Sequence, residues 1–326
     1  MKNLIAPHGS STLNPLFIED SIQRESLISS SNDMKKLLLN SAAAANVVML
    51  GAGYFTPLSG FMDKKNAISV ANDMLTTDGL FWPIPIINLT KDSSNIKIGD
   101  EVALLDPNMD GNPVMATQQV SAIEKFSDDE IKDMAEKIFG TIDTEHPGVA
   151  NFLSLGNTLV SGDIKVLNFS YFPNEFPGTF ATAPEIREML IKAGWSKAVA
   201  FQTRNPMHRA HEELCKMALE RLEADGVLIH MTLGKLKKGD ILIKENQIVN
   251  KTYFVLEGCI RSYVFDSVGK EHTLQFALKN DWISDYIAIF NNEKSSQTVE
   301  CIADSIVVET SVSEGIENIF LRFPKI

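Results

Sequence analysis

The first half of the chain carries short hydrophobic patterns that alternate between helix and strand periods. Residues 30–39 and the alanine run at 42–45 predict helical structure. Residues 126–139 place apolar positions at helical spacing after Ser127, a suitable N-cap. Apolar segments punctuated by Gly, Pro, Asn and Asp predict strands at 81–90, 98–107 and 112–123. Together these patterns predict a β-rich α+β domain over residues 1–168.

A proline-punctuated segment, YFPNEFPGTFATAP at 171–184, marks the end of that domain. The patterns that follow it are helix, strand, helix and strand, at 184–195, 197–203, 207–224 and 225–233. Continuous apolar runs such as 197–203 are typical of parallel strands that are buried on both faces. This order predicts the opening of a doubly wound α/β domain, assigned to residues 169–236.

The pattern changes again beyond Gly239. Segments such as ILIKENQ, KTYFVLEG and QTVECIADSIVVET alternate apolar and polar residues, with turns at Glu257-Gly258 and Asp266–Lys270. Alternation of this kind predicts an antiparallel β-roll, or jelly roll, over residues 237–326. The predicted fold class is therefore multidomain, with an α+β domain, a truncated α/β domain and a β-roll.

Composition narrows the possible partners. The 326 residues are 44% hydrophobic and 22% charged, with a formal net charge of -12, so the chain is expected to be a globular protein that repels polyanions. The small basic group at Lys235, Lys237 and Lys238 is interpreted as a solvated turn, so no nucleic acid is expected as a partner. No apolar run approaches the ~18 residues of a membrane helix, and the N-terminus lacks the apolar region of a signal peptide. We therefore expect a cytoplasmic protein without a membrane partner.

Three cysteines, Cys215, Cys259 and Cys301, are too widely spaced for a zinc site or a disulfide framework. We interpret them as thiols in a reducing compartment. No protein-bound metal is expected.

The densest chemistry lies in QTRNPMHRAHEEL at 202–214. The strand should end near Gln202, which places Arg204 and Asn205 at the carboxyl edge of the sheet, where open α/β sheets bind ligands. Pro206 then opens a helix whose first turns carry His208 and His211 on one face. Free N–H groups and the helix dipole at such a start attract phosphate. Taken alone, however, a His-x-x-His pair also fits helix capping or a surface imidazole pair.

A site with these groups suits in-line attack at a nucleotide α-phosphate. Charge develops on the phosphoryl oxygens and on the leaving pyrophosphate, so the groups required are positive or donate hydrogen bonds. Arg204 can grip a tetrahedral oxyanion with two hydrogen bonds. The residues therefore predict binding of a polyanion.

QTRNPMHRAHEE resembles the motif of the ATP sulfurylase (sulfate adenylyltransferase) family. Further segments are similar to that family in the expected order, namely FTPLSGFM, WPIPI, EKIFGTIDTEHPGVA, FPGTFATAPEIR and DGVLIHMTLGKLKKGD. The resemblance covers about residues 1–238. It implies a PUA-like N-terminal domain, a nucleotidyltransferase α/β domain, and the reaction of ATP with sulfate to give adenosine 5'-phosphosulfate and pyrophosphate.

The resemblance also implies roles for residues of this chain. Gln202 and Arg204 would contact sulfate, and Thr203 and Asn205 would line the reacting phosphate. His208 and His211 would hold the ATP phosphates. Thr203, Arg204, Asn205, His208 and His211 would thus be the catalytic residues, with Gln202 joining them in binding ATP, and Mg²⁺ would accompany the nucleotide.

The chain departs from the family in one respect. The family's α/β domain continues past the GKLKxGD stretch and supplies a second loop, of GRDHAG type, that closes over adenine and sulfate. No such sequence occurs from 239 to 326. Severely reduced or absent activity is therefore predicted.

Residues 235–326 are similar instead to the β-roll of cyclic-nucleotide-binding domains in Crp/Fnr-type regulators, notably at the Gly239-Asp240 turn, FVLEG and DWISD. That family's phosphate-binding cassette uses a Gly-Glu pair and an arginine. Here the corresponding segments hold Ser284, Asp285 and Tyr286, then Ser295, Ser296 and Gln297. The missing arginine argues against nucleotide binding. An anion site built from serine and backbone groups is an alternative, and an unliganded structural β-roll is favoured. No helix-turn-helix is expected either.

Three functional hypotheses follow. The first is a sulfate adenylyltransferase-like enzyme with impaired activity that acts on ATP and sulfate, with a homo-oligomer as one open assembly. The second is a sensor or regulatory binding module, whose β-roll takes a small anion or a cyclic nucleotide. The third is a non-functional chimera, joined where GKLKKGD fits both families.

Overall fold

Polar caps and β-branched apolar runs define the elements of the N-terminal part of the chain. The computed structural model describes residues 4–203, 209–231, 234–236, 238–249, 251–266 and 268–311. The strands up to residue 166 are β1 (Lys35–Leu38), β2 (Gly60–Phe61), β3 (Leu89–Thr90), β4 (Glu101–Leu105), β5 (Val114–Gln119), β6 (Ala122–Lys125) and β7 (Thr158–Val166). The helices up to residue 192 are α1 (Ser21–Ser30), α2 (Ser41–Gly51), α3 (Lys64–Asp73), α4 (Asp128–Phe139), α5 (Pro147–Ser154), α6 (Phe172–Glu175) and α7 (Ala183–Lys192).

Strand β7 organises the sheet of this region. The strands follow the order β1-β4-β5-β7-β2, and β3 and β6 also pair with β7. All pairs are antiparallel except β1 with β4, where Lys35–Leu38 runs parallel to Val102–Leu105. Apolar side chains on β4, β5 and β7 pack against α2 to form one core, with Leu104, Met115 and Leu159 fully buried. The predicted β-rich α+β organisation is confirmed here.

Two local predictions in this region were wrong. Residues 30–39 were expected to be helical, but α1 ends at Ser30 and the segment Lys35–Leu38 is strand β1. Its non-local pairing with β4 overrides the local helix pattern. Residues 81–90 were expected to form a strand, but only Leu89–Thr90 does so. Pro83 and Pro85 lack the N–H groups that a sheet ladder requires.

Helix starts were predicted more accurately, because caps are local. Ser127 caps α4 in a capping box with Glu130, whose carboxylate accepts the Ser127 N–H at 2.7 Å. Lys64 binds the same carboxylate at 2.8 Å. Thr182 and Glu185 form a second capping box at the start of α7, and this helix follows the proline-punctuated segment as expected.

The next elements are β8 (Ala198–Thr203), α8 (Arg209–Leu222) and β9 (Gly226–Met231). Strands β8 and β9 pair in parallel, as predicted, with Gln202 opposite His230. The expected burial on both faces was wrong, because Ala200 is exposed and Ile229 is 45% exposed. Within the described residues the sheet has only these two strands, so no neighbouring strand covers them.

The predicted antiparallel roll is confirmed over the following strands, β10 (Gly234–Leu236), β11 (Ile241–Ile243), β12 (Lys251–Glu257), β13 (Ile260–Phe265), β14 (Glu271–Ala277), β15 (Trp282–Ile283), β16 (Thr298–Cys301) and β17 (Ser305–Ser311). They form two four-stranded sheets, in the orders β10-β17-β12-β15 and β11-β16-β13-β14. A short helix, α9 (Tyr286–Asn291), connects β15 to β16. Val255, Ile260 and Val299 are fully buried in the core of the roll.

The predicted turn at Glu257-Gly258 has a steric cause. Gly258 adopts φ 96°, and a Cβ there would lie 2.3 Å from the Ser305 Oγ, so only glycine fits.

The chain forms two compact units, Met1–Gly194 and Trp195–Ile326. The three-domain division at residues 168 and 236 stays a prediction. No helix of the described residues has the length and apolar character needed to cross a membrane.

Candidate active site

The described part of the predicted catalytic segment lies at the carboxyl end of β8. Gln202 is exposed there, and Thr203, the last residue of the strand, lies opposite Met231 of β9. Arg204, Asn205 and His208 lie outside the described residues. The structure therefore places Gln202 and Thr203 at the sheet edge predicted to bind the ligand, and it leaves the arginine and the first histidine as predictions.

His211 lies in the first turn of α8, which begins at Arg209. Its ring is 5.3 Å from the ring of Phe201, centroid to centroid, and the two rings are tilted by 53°. This contact joins the start of the helix to the strand that carries Gln202. Two of the predicted site elements, the strand end and the helix that bears His211, are thus brought together.

Acidic side chains on α8 are already paired with a lysine. Lys216 Nζ lies 2.6 Å from the Glu212 carboxylate and 3.1 Å from the Glu213 carboxylate. The hydrogen bond from Lys216 lowers the pKa of Glu212, and the nearby Arg209 lowers it further. The positive charge of Lys216 is therefore balanced by two carboxylates of the same helix, and Lys216 adds little net positive charge for binding a polyanion.

The start of β8 is held by Asp225, which precedes β9. Its Oδ2 accepts the N–H of Ser196 at 2.7 Å, the Ser196 hydroxyl at 2.9 Å and the N–H of Lys197 at 3.0 Å. Next to it, Gly226 lies against the Trp195 ring, where an added Cβ would approach to 2.1 Å. These contacts fix the register of the two strands and hence the position of Gln202.

A second candidate site lies in the roll, where the sequence singled out Ser284–Tyr286 and Ser295–Gln297. The Asp285 carboxylate accepts hydrogen bonds from Ala288 N–H at 3.0 Å, Ser295 Oγ at 2.8 Å and Ser296 N–H at 3.0 Å. The structure thus brings the two segments together around one carboxylate. Sequence reasoning named these residues but missed that Asp285 itself binds the donors.

Sequence reasoning also missed a cavity in the N-terminal unit. It has a volume of about 630 Å³ and is lined largely by apolar residues of the FTPL and WPIPI segments, among them Phe55, Trp82 and Ile84. The aromatic and proline content of WPIPI was the available signal, but a strand was predicted there. A second cavity of about 510 Å³ is more polar and includes Asp63, Asp78 and Asp163 in its lining.

Among the described residues, no group of three or more His, Cys, Asp or Glu side chains is placed to hold a metal ion.

Comparison with known proteins identifies three segments. A model of the PUA-like domain matches residues 5–169, just over half of the chain. A model of ATP-sulfurylase matches residues 178–260, which include Gln202 to His211, and one of the cyclic nucleotide-binding domain matches residues 233–318. The last two matches overlap over residues 233–260.

Individual relatives bear the name sulfate adenylyltransferase. The chain is 55% identical over 241 residues to a sulfate adenylyltransferase of Alcanivorax borkumensis and 53% identical over 238 residues to one of Allochromatium vinosum. These alignments cover 74% and 73% of this chain, and the chain spans 60% of the length of each relative.

A solved structure also resembles the chain. It is a hexameric APS kinase from Thiobacillus denitrificans, with a TM-score of 0.54 and 26% identity over 70% of this chain and 39% of that one. The predicted fold class, with its PUA-like, nucleotidyltransferase-like and β-roll parts, is confirmed. The later residues match the models of ATP-sulfurylase and of the cyclic nucleotide-binding domain, and the chain belongs to the PUA-like family through its N-terminal half.

Proposed function

We propose that residues 1–238 are a sulfate adenylyltransferase module that carries one half of a site for transferring AMP from ATP to sulfate. The products would be adenosine 5'-phosphosulfate and pyrophosphate. The identity of 55% to a sulfate adenylyltransferase over 241 residues carries this proposal. The parallel β8–β9 pair, with Gln202 at its carboxyl edge and His211 on the adjoining helix, supports it.

In this proposal Gln202 and Arg204 bind sulfate, while Thr203 and Asn205 contact the phosphate under attack. His208 and His211 hold the phosphates of ATP, and Mg²⁺ enters with the nucleotide. No side chain forms a covalent intermediate, because positive and donating groups stabilise the charge that develops on the phosphoryl oxygens.

The chain is proposed to be impaired as a catalyst. The loop that would close over adenine and sulfate has no counterpart in the sequence of residues 239–326, and the described residues from Ile241 to Ser311 form a roll instead. Loss of one preorganised donor to a developing oxyanion typically costs about 10²–10³ in rate, and a whole loop supplies more than one such contact.

The test is pyrophosphate release from ATP, Mg²⁺ and either sulfate or molybdate. The sulfate adenylyltransferase of Alcanivorax borkumensis serves as the positive control. We expect a rate at least about 100-fold below that control. Residual ATP binding by the chain should weaken on Arg204→Ala, since the guanidinium is the strongest oxyanion partner in the segment. A turnover rate within about tenfold of the relative's would refute the impairment.

The resemblance to a structure described as hexameric supports a proposal that this chain also forms a homo-oligomer. Light scattering on the eluting peak of a sizing column would measure its mass. A particle of 36.0 kDa, the mass of one chain, would contradict this proposal.

A second candidate function is a sensor module, favoured by the match of residues 233–318 to the cyclic nucleotide-binding domain. Calorimetry separates the two candidates: heat with adenosine 5'-phosphosulfate favours the transferase module, and heat with cyclic AMP alone favours the sensor. The third hypothesis, a chimera that folds only in pieces, predicts heat with neither ligand and no cooperative unfolding.

A further inference from the structure

Asp285 is a buried carboxylate at the N-cap of α9, and its side chain joins two separate segments of the roll. The residue is 1% exposed, and Ser295, one of its partners, is 2% exposed. One carboxylate oxygen accepts the Ala288 N–H, and the other accepts the Ser296 N–H and the Ser295 hydroxyl. A carboxylate removed from water is stable only where donors of this kind replace its hydration.

The carboxylate is held in its charged form. Burial by itself would raise the pKa of Asp285, but the hydrogen bonds from Ala288, Ser295 and Ser296 outweigh that effect and lower the pKa below its ordinary value. Asp285 is therefore an anion at neutral pH. The described part of the roll contains one arginine, Arg261, and it is engaged elsewhere, 2.6 Å from Glu271 and 3.4 Å from Glu300.

The donors around Asp285 are the kind that would bind an external anion. Two backbone N–H groups and one hydroxyl converge from α9 and from the turn at Ser295–Ser296. Backbone hydrogen bonds to residues 246 and 247 hold the same turn in place. The Ser295 N–H donates to the Gln247 carbonyl at 2.8 Å, and the Ser295 carbonyl accepts the Asn246 N–H at 2.7 Å. The donors are thus preorganised, and the protein's own carboxylate already uses them.

We propose that the Asp285 carboxylate occupies the position in the roll that an anionic ligand would otherwise take. It takes the hydrogen bonds that a phosphate would need, so the roll binds no cyclic phosphate there and its two segments stay connected without any ligand. Removal of the carboxylate turns the same donors into a site for a small carboxylate such as formate. This proposal does not depend on the transferase activity.

The first test uses the unaltered full-length chain. Isothermal titration with cyclic AMP, cyclic GMP and inorganic phosphate at millimolar concentrations should give no binding heat attributable to the roll. Heat with either cyclic nucleotide that persists in Arg204→Ala, a substitution in the other candidate site, would overturn the proposal.

The second test compares Asp285→Ala with the unaltered chain by scanning calorimetry, in sodium formate and in sodium chloride at equal ionic strength. In chloride, the variant should lose about 8 °C or more in the Tm of the roll, because the buried Ala288 N–H and the Ser296 N–H lose their acceptor and the link between the two segments is broken. In formate, at least half of that loss should be regained. The unaltered chain and Asp281→Ala should respond equally to both salts, since Asp281 is exposed and its carboxylate accepts a hydrogen bond from the Leu278 N–H at 2.9 Å.

An equal response to formate in all three proteins would contradict the proposal. If Asp285→Ala does not fold, Asp285→Asn provides the measurement, because the amide keeps the shape of the side chain but loses its charge and one acceptor. It should melt below the unaltered chain and show no gain in formate. An unchanged Tm in Asp285→Asn would show that the roll does not need an anion at this position.

Discussion

Two thiols of the roll differ in burial, and their chemistry should differ accordingly. Cys301 is fully buried, and burial, reinforced by the nearby charge of Asp240, raises the pKa of its thiol to about 11. Cys259 is half-buried, and burial raises its pKa as well. Because the raised pKa favours the neutral thiol, Cys301 contributes stability that is fully present below its ordinary pKa and is lost as the pH rises through about 11.

Iodoacetamide at pH 8 should therefore alkylate Cys259 well before Cys301. A thiol with a pKa of about 11 is roughly one part in a thousand thiolate at that pH, and the thiolate is the reactive form. Peptide mass spectrometry over a time course would measure the two rates in the same sample. In Cys259→Ser the Cys301 rate should stay unchanged. Equal rates for the two thiols would contradict the burial described for Cys301.

Two glycines allow other backbone segments to approach β7 closely: Gly60 on β2, and Gly162 on β7 itself, which faces the end of β5. A Cβ on Gly60 would lie 2.1 Å from the Gly162 carbonyl oxygen, and one on Gly162 would lie 2.0 Å from the Gln119 carbonyl oxygen. Gly162 also adopts φ 140°, which side chains rarely tolerate. The glycine in FTPLSGFM is thus explained by backbone contact, and no ligand is needed to account for it.

Gly162→Ala is expected to destabilise the N-terminal unit by about 2–4 kcal/mol, because backbone must move to admit the methyl group. Urea unfolding followed by circular dichroism would measure the change. Gly178→Ala is the matched control, since a Cβ there meets nothing within 4 Å and its φ is not positive. Equal effects of the two substitutions would rule out the steric explanation.

At the scale of elements, local signals were predictable and non-local pairing was not. The capping box of α4 and the strand-helix-strand order of β8, α8 and β9 follow from residues that are close in sequence. Strand β1 depends on pairing with β4, more than sixty residues away, and its sequence alone indicated a helix. For the site, the sequence correctly predicted that Gln202 and Thr203 lie at the end of a strand. The hydrogen bonds of Asp285 to Ser295 and Ser296 could not be predicted, because they join two segments that only the fold brings together.

The β8–β9 pair should be the least protected pair of strands in hydrogen exchange. A two-stranded sheet is marginal in water, and Leu214 and Met217 on the neighbouring helix are 52% and 44% exposed. We expect the amides of Ala198–Thr203 to exchange at least about 100-fold faster than those of β12, which has partners on both sides. Exchange followed by mass spectrometry would measure both in one experiment. Similar protection of the two strands would contradict the marginal sheet.

On the scale of the whole molecule, the N-terminal unit and the roll each have a core of their own, and the part of the second unit that precedes the roll is poorly buried. Residues 195–235 hold one strongly buried apolar side chain among those described, Cys215. The chain spans 60% of the length of its Alcanivorax borkumensis relative, and the match to the ATP-sulfurylase model ends at residue 260. With so few buried side chains, this segment gives strands β8 and β9 little protection from solvent.

Limited proteolysis should therefore cut the full-length chain first within residues 195–235. Two resistant fragments are expected, one N-terminal and one that begins near Leu236. Mass spectrometry of the fragments would locate the cuts. A single resistant fragment that includes 195–235 would show that this segment is covered after all.

Residues 233–260, where the two family matches overlap, include the first strands of the roll. Gly234–Leu236 lies antiparallel to β17, the Gly239 N–H donates to the Cys301 carbonyl at 2.7 Å, and the Cys301 N–H donates to the Asp240 carbonyl at 2.9 Å. Residues 234–236, which both family models match, are thereby the first strand of the roll. One stretch of sequence therefore satisfies both family models at once, and no linker residues separate the two matches.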